Sequence, residues 1–423
     1  MPHSPDVIIV GGGLAGLAAA RTLTAHGVSV LVLERDATVG GRVATDLVDG
    51  FRVDRGFQVL LDSYPEAARV LDLAALDLRP FASGALVRRG AGFGRVGDPW
   101  RDPLAAVSTL RSRAFTPLDA WRMLRLRSRA LRAVDGTHVG RSTVTTMERL
   151  RADGFSDGAI DRFFRPFFGG VFLDRALTSP ADWFDYLFGM FAAGRATLPA
   201  QGMGALPAQL AAGLPSDAIR TSTSVERLTD AGVTLRGGET LAAKAVIVAT
   251  DAGTHAALLG RGESPAAWSG CATLSFDAPT APIDTELIAL AGPQERGPIH
   301  HCCVPSVVAP SYAPAGRQLV SATVVGPVTP DDAALERAAR LQLGEWFGAS
   351  TVTGWRLLRV SRVPYSLVRA VRDEATAATL VRVAPGRYAA GDHLETPSIN
   401  GALRSGRRAA EALLADWGVA RRD

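Results

Sequence analysis

The chain has 423 residues, 47% hydrophobic and 21% charged, which supplies a large core, suggests two or three domains and excludes global disorder. Its 44 glycines and 25 prolines follow no fibrous period, and a net charge of +4 with a pI near 9.3 is a weak argument for nucleic acid, so no such partner is expected. Of the 46 basic residues every one except Lys244 is arginine, so chemistry that needs a lysine must use Lys244 or do without.

The opening MPHSPD has no basic n-region, and no cleavable signal is expected. Residues 7–20 are uncharged but too short for a membrane span, which needs about 20 apolar residues. VIIV, starting at Val7, reads as a buried parallel strand. Gly11-x-Gly13-x-x-Gly16 follows at once, then a helix ending near Gly27 and a second strand ending in Glu34. The order strand, glycine loop, helix, strand, acid is the dinucleotide fingerprint. Gly11 permits the tight turn, Gly13 lets a pyrophosphate approach the backbone, and Gly16 lets helix and strand pack closely. The helix start at Leu14 and Ala15 offers free N–H groups to phosphate. Glu34, 18 residues after Gly16, suits ribose hydroxyls and favours FAD or NAD over NADP. Arg35 follows it, and Gly40-Gly41-Arg42 then combines close backbone approach with a planar phosphate fork.

Residues 76–199 read as mainly helical. The stretch from Arg101 to Arg132 carries eight arginines against two aspartates, interleaved with Leu118, Trp121, Leu124 and Leu131. It is a candidate for peripheral contact with anionic lipid, with a solvated helix face as the plainer alternative. Phenylalanines crowd residues 161–174 and 182–191, as core or as the wall of an apolar pocket. Residues 223–251 alternate as a hairpin that ends in an apolar strand. Beyond 263 the β-branched runs CATLSFDA, GPIHHCCVPSVVAP and RQLVSATVVG predict an antiparallel sheet, with a helix near 331–347. His300, His301, Cys302 and Cys303 are consecutive, and alternation along a strand would keep them from converging on one metal ion. No metal is expected. Three cysteines, Cys271 among them, suit a reducing, cytoplasmic setting, extended to peripheral contact at an inner membrane face. RYAAGDHLETPSINGALRSGRRAAE, residues 387–411, reads as a strand ending at Gly391-Asp392, a loop and a helix.

Taken together these motifs resemble the flavin amine oxidase superfamily, in its phytoene desaturase and protoporphyrinogen oxidase-like branch. The resemblance implies FAD. It implies a discontinuous Rossmann-like FAD-binding domain over 1–75, 200–262 and 385–423, and a mixed α+β substrate domain over 76–199 and 263–384. Residues 50–66 resemble the segment abutting the flavin, with Asp54, Gly56, Phe57 and Gln58 at the matching positions. The valine matching Val225 contacts adenine through its backbone, and residues 201–211 resemble the glycine-methionine segment before it. Asp392 would meet the ribityl or pyrophosphate portion. The helix start around Ile399 and Ala402 would point its N–H groups at the flavin pyrimidine oxygen. Amine oxidases of the family place an aromatic residue where this chain has Ser398, and many use a lysine holding water at the flavin, for which only Lys244 exists. Both departures count against amine oxidation.

No second glycine fingerprint and no Cys-x-x-Cys occur, which argues against an NAD(P)H domain and against disulfide-reductase chemistry. The expected activity is an FAD-dependent oxidoreductase removing a hydride from an apolar small molecule, with oxygen, a quinone or another carrier as electron acceptor. Amine oxidase, redox-neutral flavin isomerase and a non-catalytic binding protein are the alternatives. Catalytic residues stay unassigned apart from His393, a candidate to reach the ring or the substrate.

Overall fold

The computed structural model describes residues 4–103, 109, 114–136, 139–260, 268–326, 331–369, 371 and 373–419. Residues 104–108 and 110–113 of the arginine-rich stretch therefore lie outside the described residues.

Val7–Val10 is the centre of a six-stranded sheet, ordered Ile219–Arg220, Val30–Leu33, Val7–Val10, Ala245–Val248, Arg387–Ala389 and Arg382–Ala384. All neighbours are parallel except the last pair. The all-apolar VIIV run has a two-sided cause. Val7 and Ile9 face the helices Leu14–Ala25 and Ile399–Asp416, while Ile8 and Val10 face a three-stranded antiparallel layer, Val225–Thr229, Gly232–Leu235 and Thr240–Ala242. A strand covered on both faces has no polar side.

The second sheet has seven strands, ordered Arg356–Val368, Trp268–Ala278, Gln318–Val325, Ile299–Cys303, Ile288–Leu290, Gly84–Arg89 and Gly92–Gly97. Its pairs are antiparallel except Ile288–Leu290 with Gly84–Arg89. The helix Asp332–Phe347 covers it through Leu335, Ala339, Leu343 and Trp346, a helical spacing that keeps one stripe on the sheet. The molecule is thus mixed α/β, with a parallel sheet and a mostly antiparallel one.

One expectation needs correction. Residues 76–199 are not mainly helical at their start, because Gly84–Arg89 and Gly92–Gly97 form a hairpin at the sheet edge. Glycines at 84, 90, 92, 94 and 97 depress the strand signal. Gly84 is required there: at φ +144 its Cβ would lie 2.4 Å from the Val96 carbonyl oxygen. Downstream, Pro117–Ala130, Thr146–Ala152 and Ala181–Ala193 are helical as expected. Phe164, Phe168 and Phe184 form the buried centre of this layer. Among the described residues no helix is long and apolar enough to cross a membrane.

Candidate functional site

The three glycines of the first loop have three different surroundings. Gly11 sits at φ +107, and a Cβ there would lie 2.6 Å from the Ala249 carbonyl oxygen. A Cβ on Gly16 would lie 2.0 Å from the Gly11 carbonyl oxygen, so this glycine serves helix packing. Gly13 is the exception: a Cβ would meet nothing nearer than the Gly40 carbonyl oxygen at 4.0 Å. Its open side faces a cavity. Gly13 is also the N-cap of Leu14–Ala25, with no side chain to satisfy the helix's first amides. Free amides at an open helix N-terminus suit an anion.

Glu34 is buried and accepts hydrogen bonds from the Gly12 amide at 2.7 Å and the Asp36 amide at 2.9 Å. It therefore braces the glycine loop and the loop that follows it. The Gly40 amide donates to the Gly12 carbonyl at 2.8 Å, which brings the two glycine motifs together. Arg42 donates to the Ser366 carbonyl at 2.8 Å and is hydrogen-bonded to the Asp392 carboxylate. Burial alone would push Asp392 up and Arg42 down. Their pairing outweighs it, so the carboxyl is held below its ordinary range and the guanidinium above. This pair joins motifs 350 residues apart in the chain. The Gln58 side-chain amide donates to the Arg42 carbonyl at 2.7 Å.

The last motif is fixed in the same way. Gly391, at φ +154, donates its amide to Ser405 at 3.0 Å. Ser398 caps Ile399–Asp416 by accepting from the Gly401 amide at 2.9 Å. Asn400 accepts from the Glu66 amide at 2.8 Å, and Arg407 donates to both Glu66 carboxylate oxygens, at 2.6 and 2.9 Å. A Cβ on Gly406 would lie 2.0 Å from the Ala15 carbonyl oxygen, so the first and last helices touch backbone to backbone.

These groups enclose one cavity of about 1570 Å³, larger than the roughly 300–1,000 Å³ of a site for one small ligand. It has room for a cofactor and a substrate. The residues singled out in the sequence, Gly11, Gly13, Leu14, Ala15, Glu34, Arg35, Gly40, Gly41, Arg42, Gly56, Phe57, Gln58, Val225, Gly391, Asp392, Ser398, Ile399 and Ala402, all line it. Gly16 does not, in keeping with its packing role. The cavity continues between Phe81, Phe163, Phe167, Phe188 and Phe191. The aromatic cluster is thus wall at some positions and core at others.

Two expectations change at this site. His393 is not among the lining residues. Its buried ring lies edge-on to His255 at 4.8 Å and near Trp268 at 6.2 Å, so it is corrected from a residue at the substrate to one packed behind the motif. The strict alternation expected for His300 and His301 also fails. A bulge lies between Ile299 and His301, and the two Nδ1 atoms come within 3.3 Å. His301 reaches the cavity wall, its ring 5.2 Å from that of Phe57. Burial, with Arg175 adding repulsion, brings His301 down to about 4, so it is neutral near pH 7. A bulge leaves no mark in these residue types, and sequence reasoning missed His301 for that reason. Among the described residues no three His, Cys, Asp or Glu side chains form a metal-holding group. Lys244 is far from this chemistry: its side chain is 73% exposed and pairs with Asp6 at 2.7 Å.

Asp54 lies behind Gly56, accepting from the Tyr312 hydroxyl at 2.9 Å, the Met203 amide at 3.0 Å and Thr45. Burial outweighs these bonds and pushes its carboxyl up to about 6. A raised carboxyl stabilises the fold fully below its unfolded value of 3.8 and loses that contribution as pH rises through 6. Going from about pH 4 to pH 7, the wild type should lose about 2 kcal/mol that Asp54→Asn retains. Thermal midpoints of both proteins at the two pH values measure the difference.

The family of flavin-containing amine oxidoreductases matches residues 14–414. Among curated proteins, polyamine oxidase 2 of Arabidopsis thaliana is 53% identical over 54 residues, covering 13% of this chain and 11% of the relative. Coproporphyrinogen III oxidase of Propionibacterium freudenreichii is 38% identical over 78 residues, covering 18% and 15%. The chain therefore matches only a small part of each relative's length. A solved structure described as a putative protoporphyrinogen oxidase from Exiguobacterium is similar over 98% of this chain and 99% of that one. Its TM-score is 0.73 at 19% identity, a likeness of fold.

Proposed function

Because the chain belongs to the flavin-containing amine oxidoreductases, a family whose cofactor is FAD, we propose that it removes a hydride from an apolar small molecule, in a desaturase or dehydrogenase type of reaction. The observation that carries this reading is the continuity of the cavity, from the open side of Gly13 to the phenylalanine walls. When bound, FAD supplies the hydride acceptor, and oxygen, a quinone or another carrier then takes the electrons.

The chain's own residues supply binding and exclusion of water. The amides at Leu14 and Ala15 meet the pyrophosphate. Glu34 keeps lone pairs for ribose hydroxyls beyond its bonds to Gly12 and Asp36. Arg42, held by Asp392, presents its fork to phosphate, and the Val225 backbone meets adenine. The helix N-terminus at Ile399 favours negative charge at the flavin's pyrimidine end; the Ala402 amide, expected to point there too, is instead held by the Ser398 carbonyl at 2.9 Å, and Ala402 contributes cavity wall. Gly40, Gly41, Gly56, Phe57, Gln58 and Gly391 shape the remaining contact, with Arg35 at the rim. Phe163, Phe167, Phe188 and Phe191 hold an apolar substrate and keep water out. In domain terms the reading assigns 1–75, 200–262 and 385–423 to FAD, and 76–199 and 263–384 to the substrate. It places the protein in the cytoplasm, with peripheral contact at the inner membrane face.

An amine substrate is disfavoured because Ser398 stands at the aromatic-cage position and no lysine lines the cavity. Lys244→Met should therefore leave the anaerobic rate of flavin bleaching by the substrate unchanged within about twofold. A loss of rate beyond tenfold would sink the lysine-free reading.

A further inference from the structure

We propose that the cavity opens on a surface shaped to lie on an anionic lipid bilayer, so that the apolar substrate enters from lipid. The inference rests on the apolar-substrate reading above. Among the described residues ten large hydrophobic side chains are exposed, and five belong to one neighbourhood: Trp100, Leu118, Trp121, Leu124 and Leu131. The last four lie on the helix Pro117–Ala130 and its C-cap. At about 100° per residue they fall within an arc of roughly 140°. The same helix buries Leu126 and Ala130 on another side. A solvated helix would be polar throughout the face turned away from the core; this one interleaves its leucines and tryptophan there with Arg125 and Arg132.

The patch is continuous with the cavity. Leu124 is 51% exposed and Trp100 45% exposed, yet both line the cavity, as do Ala120 and Met123. Two of the five exposed apolar side chains, Trp100 and Leu124, therefore stand at its rim, and Leu118, Trp121 and Leu131 extend the patch away from it.

Charge selects the occupant. Arg122 is paired with Asp119, and Arg129 with Asp153 and Asp185. Arg125 instead lies over the Trp121 ring and Arg127 over the Trp100 ring, each at 4.9 Å. Among the described residues Arg125, Arg127 and Arg132 have no carboxylate within ion-pair distance. Asp119, the acid of this helix, is buried and closes a capping box with Thr116. Arg127 is half-buried and donates to the Ala192 carbonyl at 3.2 Å, which leaves Arg125 and Arg132 exposed; tryptophan, leucines and these two arginines on one face suit the headgroup layer of an anionic membrane. A second copy of the chain fits less well, because a two-fold contact would set the same arginines against each other.

The test is sedimentation of the FAD-loaded protein with vesicles of phosphatidylcholine alone and of phosphatidylcholine with phosphatidylglycerol. The wild type should bind the anionic vesicles about tenfold more tightly than the neutral ones, and less tightly as salt rises. The double variant Leu118→Glu, Trp121→Glu, which alters no cavity-lining residue, should lose this binding and keep its flavin and its thermal midpoint. Leu341→Glu, an exposed apolar site on Asp332–Phe347, should bind like the wild type. Equal binding to both vesicle types, no binding by the wild type, or unchanged binding by the double variant would overturn the proposal. So would a wild-type dimer that the double variant converts to monomer without any vesicle binding. Vesicle binding is read without substrate, so its failure is distinct from a failure of the hydride-transfer reading.

Discussion

Gly13→Val should leave the folded chain intact and remove its flavin. At φ −76 and ψ −179 the backbone suits a β-branched residue, and the new Cβ would meet only the Gly40 carbonyl oxygen, at 4.0 Å. No neighbour crowds the new Cβ, so the apo thermal midpoint should correspond to a stability change within about 0.5 kcal/mol. The added methyl groups would occupy the open side, where the pyrophosphate approaches the amides of Leu14 and Ala15. Loss of two charge-assisted hydrogen bonds, at about 1.5–3 kcal/mol each, weakens binding by roughly a hundredfold or more. Titration of the apoprotein with FAD measures it. Retained affinity would show that the phosphates lie elsewhere.

Gly406→Val should do the reverse and damage the fold first. Its Cβ would lie 2.0 Å from the Ala15 carbonyl oxygen and 2.8 Å from the carbonyl carbon. These are backbone atoms that cannot rotate away, so Ile399–Asp416 must move off Leu14–Ala25. Overpacking of this kind costs about 3 kcal/mol, visible as a lower thermal midpoint in the apoprotein. Flavin loss would follow, because the displaced helix also carries Ile399 and Ala402. The two variants thus separate binding from folding: Gly13→Val loses flavin at constant apo stability, and Gly406→Val loses both.

How much of this was legible in the sequence depends on whether the cause was local. The Val7–Val10 strand, the glycine loop and the helix after it follow from short-range chemistry, and they stand where the residues put them. The long helix Asp332–Phe347 stands where a helix near 331–347 was expected, and its stripe on the sheet emerges with the packing. The hairpin at Gly84–Arg89 and Gly92–Gly97 was not readable, since its glycines are chosen by cross-strand crowding from a partner strand. The pairing of Arg42 with Asp392 depends on a register between distant segments, and no local pattern announces it. His301 was set aside by an alternation rule that a one-residue bulge suspends. His393 sat in the right motif, but the turn after Gly391 carries it behind the cavity wall. In the arginine-rich helix the apolar interleaving was plain. Which of its faces meets the core, and that the other reaches the cavity rim, required the packing of Ala181–Ala193 against it.

The most direct test of the central claim is the flavin released when the purified, reconstituted wild type is denatured, read beside Gly13→Val. A stoichiometric yield of FAD from the wild type and almost none from the variant, at matching apo stability, is the predicted result. A wild type that neither carries nor binds FAD, or a variant that holds it as tightly, would contradict the account.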